Sequence, residues 1–125
     1  MSDREIPRSI RKFIARHIDS VGQLEALLLL RSVPGEAWDA ARVAGRLYVG
    51  EPDAAEMLNR LCHDGLLVST GEAYRYCCRT EELQRMVDEL AHLYARQLIP
   101  ITNMIHAKSR RIREFADAFR FRKGP

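Results

Sequence analysis

The stretch that decides the fold runs from Trp38 to Cys78: WDAARVAGRLYVGEPDAAEMLNRLCHDGLLVSTGEAYRYCC. Trp38 to Val49 reads as a helix, with Ala40, Ala41, Val43, Ala44 and Leu47 small or aliphatic and suited to close packing. Gly45 inside it costs about 1 kcal/mol relative to alanine. Pro52 stands where a first helical residue belongs, because its missing N–H has no partner there and its φ is already helical. Ala55, Leu58, Leu61 and Cys62 then recur at three- and four-residue steps, which predicts a second helix with those residues inward. Gly65 ends it, since glycine takes the left-handed conformation without steric cost. Leu66-Leu67-Val68 and Tyr74 to Cys78 read as two strands joined by a turn at Gly71-Glu72. The order is helix, turn, helix, glycine, hairpin.

The run MLNRLCHDGLLVSTGEAYRYC resembles the recognition-helix-to-wing segment of bacterial winged helix-turn-helix transcriptional regulators, in which a leucine-spaced helix ends in an Asp/Arg-Gly-Leu-Val step. With the helix before it, the resemblance covers roughly residues 20 to 78. It implies a mostly α fold with a small β-hairpin wing (α+β) and a DNA-binding function. Residues 52–64 would then enter the major groove of double-stranded DNA. Asn59, Arg60 and His63 would meet base edges, and Arg42, Arg46 and Arg75 would hold the phosphate backbone.

That helix departs from the family pattern at its start, with Glu51, Asp53 and Glu56. Carboxylates there suit the helix dipole but are unfavourable beside a polyanion. The second expectation is therefore a winged-helix protein-interaction module. It would dock a basic partner on this acidic face and engage something acidic through a basic C-terminal helix.

Outward from this stretch, Ile6, Ile10, Phe13, Ile14 and Ile18 predict an amphipathic first helix opened by Pro7. Arg8, Arg11, Lys12 and Arg16 lie off its apolar face, packed against the domain or serving as a basic arm. Asp19 or Ser20 caps the next helix, whose apolar face of Val21, Leu24, Leu27, Leu28 and Leu30 ends before Pro34-Gly35. Thr80 caps a long C-terminal helix with Glu81 and Glu82 in its first turn. Leu83, Val87, Leu90, Tyr94, Leu98, Ile101 and Ile105 form one stripe, resumed by Ile112, Phe115 and Phe119. Unbroken, this helix would run roughly 60 Å. Pro100 must kink or split it, with Thr102-Asn103 as a new cap. So long a stripe exceeds what a small domain buries, and the surplus predicts a homodimer paired through residues 80–122. PadR-like and MarR-like winged-helix regulators are similar in architecture, with a C-terminal helix used for dimerisation. The expected division is a DNA-binding domain at 1–79 and a dimerisation segment at 80–125.

Charge is distributed unevenly along the chain. Residues 1–19 carry five Lys/Arg against three Asp/Glu, residues 20–107 eight against twelve, and residues 108–125 seven against two. Basic ends flank an acidic middle, which speaks about partners rather than fold. The basic, amphipathic stretch KSRRIREFADAFRFRKGP fits docking with exposed arginines, nucleic-acid contact, or contact with a membrane surface or acidic partner.

Other classes are disfavoured. The longest apolar run, Ala26 to Leu30, is too short to span a membrane, and MSDREIPRSIRKF has no signal-like apolar core, so a cytoplasmic protein is expected. Three cysteines, with Cys77 and Cys78 adjacent, make no disulfide framework. Read as strand residues, those two would face opposite sides. Neither they nor the dispersed histidines have metal-ligand spacing, and no nucleophile–base pair or phosphate-binding glycine loop is present. No enzyme activity, cofactor or metal is expected.

Overall fold

The computed structural model describes residues 6–122, with side chains through Ala118. Among these residues six helices and three short strands follow in order: α1 Arg8–His17, α2 Val21–Ser32, β1 Trp38–Asp39, α3 Ala40–Leu47, α4 Glu51–His63, β2 Leu67–Thr70, β3 Ala73–Tyr76, α5 Glu81–Arg96 and α6 Leu98–Arg122. The fold is mostly helical with one small antiparallel sheet of order β1-β3-β2. Ser69 pairs with Tyr74 and Leu67 with Tyr76 across the hairpin, while Trp38 pairs with Tyr74 on the other side of β3.

Local chemistry accounts for most boundaries. The Ser20 hydroxyl accepts the Gln23 N–H (3.0 Å), Asp39 that of Arg42 (2.8 Å) and Thr80 that of Leu83 (3.1 Å), each satisfying an otherwise orphaned donor at a helix start. Gly65 and Gly71 take φ of +85° and +78°, ending α4 and turning the hairpin. Asp39 also explains a correction at Trp38. The helix expected from Trp38 begins at Ala40, because Asp39 stays extended as its cap and Trp38 is drawn into the sheet beside Tyr74.

Leu24, Leu27, Leu30, Leu58, Leu61 and Leu66 build the centre of the core, joined by Ile10 and Ile14 of α1. The inward face of α4 is Ala54, Leu58 and Leu61, whereas Ala55 and Cys62, expected inward, are only partly buried. Gly22 helps set this rotation. A Cβ there would lie 3.3 Å from the Met57 sulfur, so glycine lets α4 settle closely on α2.

The long C-terminal stripe divides at Gln97. Its N–H closes α5 on the Leu93 carbonyl (2.6 Å), and its carbonyl accepts the Ile101 N–H (3.2 Å) to open α6. Pro100 thus falls in the first turn of α6, where a missing N–H costs nothing. Thr102 and Asn103 lie inside the helix and do not cap it. Both helices then pack on the rest of the chain, α5 against α1 and α6 against α1 and α2. Val87, Leu90, Ile101 and Ile105 are completely buried within one chain. The core is therefore continuous across residue 80. Four of the seven residues expected at a dimer interface are spent inside it, and the apolar surplus shrinks accordingly.

Tyr48, in the α3–α4 turn, adopts φ 59°, ψ 45°, with its ring 94% exposed. A left-handed backbone costs a non-glycine residue about 1–2 kcal/mol, and so exposed a ring returns little by packing. Tyr48→Gly is expected to raise stability by about 1 kcal/mol in a urea titration. An unchanged or lower midpoint would mean that the ring is held by contacts the fold depends on.

Candidate nucleic-acid or protein interface

The exposed side of α4 adjoins the hairpin. Tyr74 of β3 donates its hydroxyl proton to Asn59 Oδ1 of α4 (2.7 Å), so helix and hairpin form one continuous surface. Arg79, just beyond β3, reaches the carbonyl of His63 at the helix end (3.4 Å). His63 is exposed and Arg75 half-buried on β3; among the described residues neither makes an ion pair. The other end of the surface is acidic, with Glu51, Asp53 and Glu56 exposed along the first turns of α4.

Two expected phosphate contacts are partly engaged. Arg42 pairs with Glu36, donates to the Ala37 carbonyl (3.4 Å) and stacks over the Trp38 ring at 3.8 Å. Arg46 stands 5.5 Å from the same ring and is exposed. Planar guanidinium over indole is a favourable cation–π pairing, and it fixes both arginines to one side of α3.

Arg60 is built into the fold more deeply. Its Nη1 donates to Asp19 (2.9 Å), its Nε to Asp64 (3.3 Å) and its Nη2 to the Arg16 carbonyl (3.4 Å). Asp64 also meets His17 Nδ1 at 2.9 Å. Asp19 also receives Lys108 of α6 at 2.9 Å, and Lys108 donates to the Ile14 and Ile18 carbonyls (3.0 and 2.8 Å). A cation against the last carbonyls of α1 is well placed for the helix dipole. Ser109 completes the junction by donating to the Asp19 carbonyl (2.5 Å). Two carboxylates thus hold Arg60, Lys108 and His17 together, tying the ends of α1 and α4 to the middle of α6.

Sequence reading missed this junction. Arg60 and Asp64 stand four apart on one helix, a visible pairing signal, but Asp19 and Lys108 are 41 and 48 positions from Arg60 and carry no local signature.

Of the other expected interface residues, Leu83 and Tyr94 are half-buried and Leu98 is exposed. Tyr94 donates to Glu25 Oε2 (2.7 Å). Burial first, and that bond to a carboxylate second, push its pKa up to about 12. Tyr76 is raised likewise, mainly by burial and then by its contact with Cys78. A folded-state pKa above the unfolded value near 10 means that the neutral phenol favours the folded state. That contribution is whole below pH 10 and is lost as pH rises toward 12. Stability is expected to fall across this window, with a late phase in phenolate absorbance that unfolding removes. All tyrosines titrating together near pH 10 in the folded protein would contradict it.

Cys77 and Cys78 lie beyond the end of β3 rather than within it; Cys77 is exposed and Cys78 half-buried, its thiol donating to the Tyr76 hydroxyl (3.4 Å). Burial is the main cause that raises the Cys78 pKa. An open groove of about 820 Å³ between α1 and α5 has Phe13, Leu83 and Met86 on its floor and Lys12, Arg16 and Glu82 along it. Among the described residues no three His, Cys, Asp or Glu side chains converge as metal ligands, and no helix is long and apolar enough to cross a membrane. No family model, curated protein or solved structure matches the chain.

Proposed function

We propose that this chain is a winged helix-turn-helix transcriptional regulator of the cytoplasm that binds duplex DNA as a homodimer, with α4 as recognition helix and the β2–β3 hairpin as wing. The observation that carries the reading is the Tyr74–Asn59 hydrogen bond, which joins the exposed side of α4 to the hairpin as one surface. The element order α2–β1–α3–α4–β2–β3, with β3 central in the sheet, supports it. The contacts fall toward the C-terminal end of α4: Asn59 and His63 at base edges, with Arg75, Arg79 and Arg46 at phosphates. Arg60 serves this surface by holding α4 in place.

The test is a salt titration of binding to random-sequence duplex by the full chain. Each phosphate contact removed should lower the slope of log K against log salt by about 0.9. Arg75→Ala with Arg79→Ala should flatten the slope, and Arg110, Arg111 and Arg113 changed together to Ala should matter less. The reverse order would make the C-terminal helix a nonspecific polycation and the winged-helix assignment of contacts wrong.

Tyr48 favours a second reading. An exposed aromatic beside Glu51, Asp53 and Glu56 has the form of a protein-docking anchor with a charged rim. Under it, Asp53→Lys with Glu56→Lys abolishes capture of a basic partner; under the DNA reading, the same change spares or strengthens duplex binding.

A further inference from the structure

Away from α4 and the hairpin, the groove between α1 and α5 sets two unlike lips over an apolar floor. On α1, helical geometry carries the wall upward from Phe13 at the base, past Ser9 and Arg16, to Lys12 at the edge. On α5, Leu83 and Met86 lie at the base and Glu82 at the edge. Phe13 is buried, Leu83 and Met86 are half-buried, and Lys12, Arg16 and Glu82 are exposed. Among the described residues Lys12 and Arg16 make no ion pair, although Glu82 lines the same groove. The outer side of α1 adds Arg8 and Arg11, and the helix holds no carboxylate. His17 lines the end of the groove but is held by Asp64. Apolar surface therefore lies open beneath two cations that have no carboxylate partner.

We infer that this groove receives an amphipathic helix of an acidic partner protein, its apolar residues over Phe13, Leu83 and Met86 and its carboxylates beside Lys12 and Arg16. The walls come from α1 and α5, so an extended segment would find no sheet edge for its N–H and C=O groups, whereas a helix satisfies its own. Ser9 to Arg16 spans about 10 Å along α1. That matches two turns of an occupant presenting anchors at three- and four-residue steps. Met86 is unbranched and adapts to what fills the floor. A flat membrane surface would meet Lys12 and Arg16 without reaching Phe13 below them, and duplex phosphates would leave the floor unused. None of the lining residues belongs to α4 or the hairpin, so this site is separate from the proposed DNA surface and does not depend on it.

The test is fluorescence anisotropy of the full chain with a labelled amphipathic peptide of about four helical turns. The peptide carries leucine at three- and four-residue steps on one face and glutamate and alanine elsewhere. A second peptide of identical composition has its leucines spread around the helix. The first should bind, more weakly as salt rises, and the second about tenfold less tightly or worse. Saturation with the first should shift the methyl resonance of Met86 and leave that of Met57 in place. Lys12→Glu with Arg16→Glu should weaken binding about tenfold or more. Glu82→Gln should strengthen it, and the thermal midpoint should stay nearly unchanged in both variants because these side chains are exposed. Two peptides that bind alike, no binding of either at low salt, or a double variant that binds as the wild type does would each overturn the inference. Sodium oleate that shifts Met86 where the peptide does not would assign the floor to a fatty acyl chain. Duplex binding lost in the double variant, with peptide binding unchanged, would assign the cations to phosphate. Either result overturns it equally.

Discussion

Ile105→Ala is expected to destabilise the protein by about 2–4 kcal/mol, independently of protein concentration. The side chain is completely inaccessible within one chain, and deleting buried methyl groups forfeits their transfer free energy and leaves a cavity. For a chain of this size that corresponds to a fall in Tm of about 10 °C or more. Concentration is the informative variable. Were Ile105 an interface residue, the loss would fade as rising concentration drove association. A substitution that leaves the monomer's unfolding midpoint untouched and only weakens association would return the proximal half of α6 to the dimer interface.

Asp19→Ala is the second large effect, at about 2–3 kcal/mol. Asp19 accepts from both Arg60 and Lys108, and its removal leaves two cations facing each other with their main partner gone. Lys108 is only 15% exposed, whereas Arg60 is 43% exposed, so solvent softens the loss at Arg60 more than at Lys108. Arg60→Ala should cost less, about 1–2 kcal/mol, because Asp19 keeps Lys108 and Asp64 keeps His17. The coupling between the two substitutions, read from a double-mutant cycle in urea, should be non-additive. Strict additivity would mean that the Arg60–Asp19 pair contributes nothing. One consequence bears on DNA work: weakened binding by Arg60→Ala cannot be taken for a lost base contact until the variant's stability has been measured.

What the sequence made legible was mainly what is written locally. The glycine at 65, the Gly71 turn, the Ser20 and Thr80 caps and the stripe of α1 each depend on residues within one or two turns, and each appears in the structure. Trp38 was misread because a strand of two residues has no periodicity of its own; Asp39 as a cap was the available signal. The C-terminal helices were misread for a different reason. Their stripe is real and Pro100 marks the split to within three residues, but nothing local says where the second helix goes after it. Once the chain turns there, α5 and α6 can both lie on α1 and α2 and bury side chains that seemed surplus. The candidate surface was legible by position rather than by contact. Asn59, His63 and Arg75 lie on or beside the joined helix–hairpin surface, whereas Arg60 belongs to a junction assembled from positions far apart in the chain.

The measurement closest to the central claim is a set of backbone amide spectra of the full-length protein titrated with a short duplex. If α4 and the hairpin are recognition helix and wing, shifts should concentrate at residues 56–63 and 67–79 and weaken as salt rises. Shifts confined to residues 110–122, or none at low salt, would contradict it.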